Sequence, residues 1–125
     1  MVFTVSSPIQ FALAKYMEDP KPYLDLPAFY EAKRDRLSQG LQATKFRPLP
    51  CSGTFFMLAD YSQISTLSEA EFSKELTIKH GVTVIPVSAF YRKLDALESN
   101  HRIVRFCFAK KDQTLNSAIE ILREI

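Results

Sequence analysis

The run His101-Arg102-Ile103-Val104-Arg105-Phe106-Cys107-Phe108-Ala109 sets the tightest limit on what this chain can fold into. It is rich in β-branched and aromatic residues and holds no glycine or proline. It is also too short for a helix, so it reads as a buried β-strand. Side chains alternate faces along a strand. Ile103, Arg105 and Cys107 therefore share one face, and Val104, Phe106 and Phe108 the other. Arg105 is a permanent cation among apolar neighbours, and a buried charge is costly unless paired and hydrogen-bonded. Its planar fork suits a carboxylate best. Three outcomes stay open: an ion pair with an internal Asp or Glu, escape of the side chain to the strand's end, or capture of a ligand carboxylate.

A strand of this kind needs partners, and the rest of the chain offers them. Phe46-Arg47-Pro48-Leu49-Pro50 reads as an edge strand, because its prolines cannot donate to a ladder. Thr54 to Asp60 reads as a central strand, apolar on both faces, with Gly53 at the turn before it. Val82 to Ile85 is a third strand closed by Pro86, followed by the loop Val87-Ser88-Ala89-Phe90-Tyr91 and a polar stretch to Asn100. Loops after strand ends often hold functional residues.

Helix signals alternate with these strands. Ser7 and Pro8 read as N-cap and first helical residue of a helix apolar on all sides from Ile9 to Met17, which needs cover from outside these residues. Pro20 and Pro22 break it. A second helix runs from Leu26 to Ala43, with Tyr30, Lys33, Leu37 and Leu41 as a stripe and Lys33-Arg34-Asp35-Arg36 as a solvated face. Ser68-Glu69-Ala70-Glu71 is a capping box, Leu67 and Phe72 are placed as its hydrophobic staple, and Gly81 ends that helix. Asp112 caps a last helix whose apolar face is Leu115, Ala118, Ile119, Leu122 and Ile125. The order α-α-β-β-α-β-β-α predicts an α/β (α+β) domain: a small, mixed, mostly antiparallel sheet of about four strands with helices on one face.

Composition excludes several classes of function. A net charge of +2, with acids interspersed among the bases, argues against nucleic acid as a partner. No apolar run approaches membrane-spanning length and no signal peptide is visible. Cys51 and Cys107 form neither a CxxC nor a Cys/His cluster, so a metal site is not expected and a reduced, cytoplasmic protein is. His80 and His101 read as structural, since no nucleophile–His–acid arrangement is recognisable. The apolar opening, Val2, Phe3 and Val5 with no polar lead-in, reads as the continuation of a longer chain; a natural start with a short edge strand is the alternative.

Four motifs in order narrow this further: FTVSSPIQFALA (3–14), CSGTFFMLADY (51–61), GVTVIPVSAFY (81–91) and RIVRFCFAKKDQTL (102–115). Together they resemble the C-terminal third of fold-type-I, class I/II pyridoxal-phosphate aminotransferases, nearest the subgroup of kynurenine–oxoglutarate and methionine aminotransferases. The resemblance spans essentially the whole chain. It implies the fold's C-terminal small domain over residues 26–125, with 1–25 as a segment and helix that connect to a large domain not contained here.

The resemblance also implies roles. The arginine before the FCFA-type segment, here Arg105, forks onto the substrate α-carboxylate in this family. Arg102 does not match the motif position and is expected at the surface. Ser88, Phe90 and Tyr91 match a loop that approaches the substrate side chain. Val5 and Ser6 match a segment that reaches the partner subunit's active site in a homodimer. Family members hold pyridoxal 5'-phosphate on a lysine of the large domain, with an acid under the pyridine nitrogen and an aromatic over the ring. No stretch of this sequence matches those motifs, so the chain by itself is expected to hold no cofactor and to be inactive. The whole enzyme would pass an amino group from an amino acid such as methionine or kynurenine to a 2-oxo acid. The rival readings are a free-standing carboxylate-binding module and a purely structural or interaction domain.

Overall fold

The computed structural model describes residues 5–92 and 100–125. Val2, Phe3 and most of the polar stretch before Asn100 thus lie outside the described residues. Helices α1 (Ser7–Tyr16), α2 (Lys21–Leu24) and α3 (Leu26–Gln42) come first. Strands β1 (Arg47–Pro48) and β2 (Phe56–Asp60) precede α4 (Glu69–His80). Strand β3 (Ile85–Pro86), a single 3-10 turn (Val87–Phe90), β4 (Ile103–Cys107) and α5 (Asp112–Arg123) follow. The sheet order is β1-β2-β4-β3, and every neighbouring pair is antiparallel.

The strand that organises the chain is central, and its alternation decides the architecture. Val104, Phe106 and Phe108 are buried, together with Met57 and Ala59 of β2. They join Leu37 and Leu41 of α3, Phe72 and Leu76 of α4, and Leu115, Ile119 and Leu122 of α5 in one core. Each such side chain contributes about 1.5–3 kcal/mol on full burial. The helices of that core lie on one face of the sheet. The opposite face holds Phe56, Leu58, Asp60, Ile103, Arg105 and Cys107, half-buried or exposed.

Helices on one face is what the element order predicts, and it leaves the second face of β4 less buried than the strand's composition suggests. Cys107 is exposed and Arg105 half-buried, because no helix among the described residues packs on their side. Strand β3 is shorter and later than expected: Val82 and Val84 are buried, yet only Ile85 and Pro86 pair with β4. Pro86 is tolerated because β3 is the sheet's edge.

Local signals hold with small shifts. The capping box forms as read: the Ser68 hydroxyl accepts from the Glu71 amide, and the Glu71 carboxylate accepts from the Ser68 amide. Gly81 is left-handed at φ 71°. The left-handed residue before β2, however, is Thr54 at φ 64°, not Gly53. Its Oγ1 accepts from the amides of Phe55 and Phe56. The cap position of α1 is Ser6 rather than Ser7, without a side-chain cap bond. Pro20 and Pro22 end α1 but also open α2, since proline suits a first helical turn. Lys111, not Asp112, precedes the last helix. The Asp112 carboxylate instead accepts from Lys33 at 2.9 Å.

Lys33 is therefore not on a solvated face. It is 8% exposed. Its ammonium also donates to the Lys110 carbonyl at 2.6 Å and lies over the Phe29 ring. Hydrogen bonding to the Lys33 ammonium, aided by Arg36, holds the Asp112 carboxyl below the usual carboxylate range. The pair ties α3 to the β4–α5 junction.

Helix α1 has no buried residue; Phe11 is 78% exposed and Ile9 63%. Its apolar surface is unpartnered among the described residues. No helix among the described residues is long and apolar enough to cross a membrane.

Candidate functional site

Arg105 sits on the sheet face opposite the core helices. Its cross-strand neighbours are Leu58 on β2 and Ile85 on β3, one on either side. Its guanidinium carbon lies 4.5 Å from the centroid of Phe56 and 4.9 Å from that of Phe90. The two rings are the walls of a slot. A guanidinium is attracted to aromatic faces and keeps its in-plane N–H donors free while stacked. Among the described residues no Asp or Glu forms an ion pair or hydrogen bond with Arg105. Among the described residues, then, no internal ion pair forms, and the guanidinium packs between the two rings rather than escaping to the strand's end.

The 3-10 turn supplies Phe90. It starts where β3 stops, because Val87 leaves the sheet after Pro86. Ser88 donates its amide to Glu69 Oε2 at 2.5 Å, and Ile103 donates its amide to Oε1 at 3.1 Å. Glu69 is 2% exposed. By sequence alone it is only one residue of a capping box. The signal that could have found it is an acid at the first helical position beside the apolar residues Leu67 and Phe72. Arg102 is half-buried with φ 56°, and its carbonyl accepts from the Tyr61 amide. Among the described residues its side chain makes no hydrogen bond or ion pair with the Arg105 slot.

The other expected residues divide. Phe90 meets Arg105. Ser88 lies in the same turn but engages through its backbone. Tyr91 turns its ring toward His101, 6.0 Å away edge-to-face. Val5 and Ser6 are exposed at the head of α1, where the Val5 carbonyl accepts from the Gln10 side chain. No hydrogen bond or ring contact among the described residues joins them to Arg105. A cavity of about 670 Å³ beside the C-terminal end of β4 and α5 reaches Arg105, past Thr83, Lys110 and Gln113; Phe56 and Phe90 do not line it. Among the described residues no cluster of His, Cys, Asp or Glu could hold a metal ion.

The slot thus presents a guanidinium with no acidic partner among the described residues, two aromatic walls and apolar flanks. The profile of the aminotransferase class I and II family matches residues 1–122. The chain belongs to that family. Methionine aminotransferase of Escherichia coli is 45% identical over 126 residues, covering 100% of this chain and 32% of the relative. Mouse kynurenine–oxoglutarate transaminase 3 is 38% identical over 140 residues, covering 97% of this chain and 30% of the relative. The crystal structure identifying that methionine aminotransferase function in E. coli superposes with a TM-score of 0.89 at 45% identity, over 99% of this chain and 32% of that one. N-Succinyldiaminopimelate aminotransferase of Mycobacterium tuberculosis superposes with a TM-score of 0.84 at 34% identity, over 97% and 31%. This aminotransferase chain spans about a third of the length of the relatives it matches.

The family works with pyridoxal phosphate. A lysine that attaches the cofactor must give up its proton, which desolvation away from anions promotes. Lys33, the buried lysine among the described residues, does not fit: it is held against Asp112 and a backbone carbonyl.

Proposed function

We propose that this chain is the C-terminal small domain of a pyridoxal-phosphate-dependent aminotransferase and that Arg105 receives the α-carboxylate of both the amino acid and the 2-oxo acid. The observation behind it is the guanidinium stacked between Phe56 and Phe90 with no internal carboxylate partner among the described residues. The rings hold the plane of the guanidinium, and the fork orients the carboxylate. Leu58, Ile85 and Phe90 make an apolar surround, which favours an amino donor such as methionine or kynurenine.

A large domain holds the cofactor lysine, the acid and the ring-covering aromatic. Residues 1–25 connect to it, and the exposed apolar face of α1 packs on it or on a partner subunit. The whole enzyme is a cytoplasmic homodimer in which Val5 and Ser6 approach the partner's active site, while Ser88 and Tyr91 lie toward the substrate side chain. The 125-residue chain alone is inactive and cofactor-free.

A free-standing carboxylate-binding module fits less well. Phe90 is 61% exposed, so the slot is open on this chain alone. An ion pair in such a wet site is worth about 0–1 kcal/mol. Useful affinity requires a cover, and a large domain would supply it. The test is selectivity: in the complete enzyme, Arg105→Ala should lose activity on amino acids and retain it on an amine without the carboxylate. Equal loss on both would overturn the reading.

A further inference from the structure

We propose that Glu69 is a positioning residue for the carboxylate site: its buried carboxylate ties the Val87–Phe90 turn to the start of β4 and so sets Phe90 against Arg105. The inference rests on the reading of Arg105 as the carboxylate clamp.

Two amides lose their natural partners where β3 ends. In the β3–β4 register, Ile85 faces Arg105 and Pro86 faces Val104. Continued by one residue, Val87 would face Ile103. The chain leaves the sheet at Val87 instead, so the Ile103 amide has no strand beside it. The Ser88 amide lies in the first turn of the 3-10 helix, where N–H groups have no partner within the helix. One side chain from a different helix satisfies both, Oε1 on Ile103 at 3.1 Å and Oε2 on Ser88 at 2.5 Å.

The cost of this arrangement argues for a task. Glu69 is 2% exposed and, among the described residues, makes no ion pair. A buried carboxylate without a cation is tolerated only through strong hydrogen bonds and a favourable dipole. Glu69 has both, since it is the first residue of α4. An apolar side chain would fill the same volume at less cost. It could not fix two separate segments. Those segments matter together: Ser88 is two residues before Phe90, and Ile103 is two residues before Arg105. A single carboxylate therefore sets both members of the 4.9 Å stack.

The variant that isolates this role is Glu69→Gln. The amide has the same shape but one acceptor oxygen, and its NH₂ group would meet an N–H donor. In the complete enzyme, Glu69→Gln should lower kcat/KM for amino acids about tenfold, the size of one lost charge-assisted hydrogen bond, mostly through KM. A carboxylate-free amine should change much less. The loss should vanish in an Arg105→Ala background, because Glu69 acts through that arginine. Equal loss on both substrate types, or full additivity with Arg105→Ala, overturns the proposal. An Arg105→Ala variant that is itself unselective overturns the clamp reading and this proposal with it. A selective Arg105→Ala beside an unselective Glu69→Gln overturns the role of Glu69 alone. Amide exchange in the unsubstituted enzyme gives a readout independent of how the variant folds. The Ser88 and Ile103 amides should be protected, and exchange of either at the free-chain rate refutes the tie.

Discussion

Replacing Arg105 separates what its guanidinium does for the substrate from what it does for the fold. In the complete enzyme the substrate carboxylate would meet a guanidinium already oriented by Phe56 and Phe90 at 4.5 and 4.9 Å. Breaking a hydrogen-bonded charge pair in a desolvated site costs about 2–5 kcal/mol. Each 1.4 kcal/mol is about tenfold, so Arg105→Ala should lower kcat/KM for methionine or kynurenine by about 10²–10³. The two ring contacts belong to a different account. They exist with or without substrate, at about 0.5–1 kcal/mol each for a half-exposed cation, and so appear as a small fall in Tm rather than in kcat/KM. Arg105→Lys keeps a charge near both rings but loses the fork, and should recover only part of the activity. Arg102→Ala should be nearly silent, since among the described residues that side chain makes no hydrogen bond or ion pair with the slot. A carboxylate-free amine should lose much less than the amino acids on Arg105→Ala. The assay is a steady-state comparison of the three variants on an amino acid and on the amine. The reasoning fails if Arg102→Ala is the more damaging change, or if Arg105→Ala hurts both substrates equally.

Three further outcomes test the fold beneath the site. Ser68→Ala removes the α4 cap and should cost about 1 kcal/mol, read as a lower denaturation midpoint. Hydrogen bonds from the Ser68 hydroxyl and then the Ser68 amide hold the Glu71 carboxyl below its ordinary value. The linked stability is therefore complete above pH of about 4.3 and lost as pH falls through the lower folded value, and Ser68→Ala should shrink that acid dependence. Unchanged pH curves would contradict the capping box as the cause. A Cβ added at Gly40 would stand 2.4 Å from Ile119 Cδ1 on α5. Gly40→Ala gains about 1 kcal/mol of helix propensity but meets about 1–3 kcal/mol of overpacking, so it should destabilise, with Ile119→Val restoring part. A more stable Gly40→Ala would show that the helices part easily. Finally, Ile9, Phe11, Leu13 and Tyr16 are all more than half exposed on α1. The isolated 125-residue chain should self-associate or bind an apolar dye, and Phe11→Glu should reduce either signal. A strictly monomeric chain that ignores the dye would mean the helix finds cover within its own domain.

Much of this protein is decided by signals a few residues long. The alternation in 103–108 sorts the side chains of β4 into two sets, because a strand admits just two faces. The Ser68–Glu71 box and Gly81 mark both ends of α4 through bonds made within one helical turn. Pro48 and Pro50 mark β1 as an edge strand. Even Arg105 is legible, since a cation within an apolar strand demands an explanation.

What the tertiary structure decided are the choices that depend on residues far apart in the chain. No pattern within 101–109 tells which of its two faces the helices will cover, and that choice leaves Cys107 exposed and Arg105 accessible. Phe56 and Phe90 become walls of one slot only when β2 and the turn after β3 are brought to β4. Lys33 reads as a surface charge until α5 delivers Asp112 to it, 79 residues away. Gly40 has no turn to make; it is small because Ile119 packs on α3 there. Glu69 looks like an ordinary helix-start acid until β3 ends early and leaves the Ser88 and Ile103 amides needing an acceptor. Hydrogen bonds and packing between distant segments are invisible to local periodicity, because the partner's identity depends on topology and not on spacing along the chain.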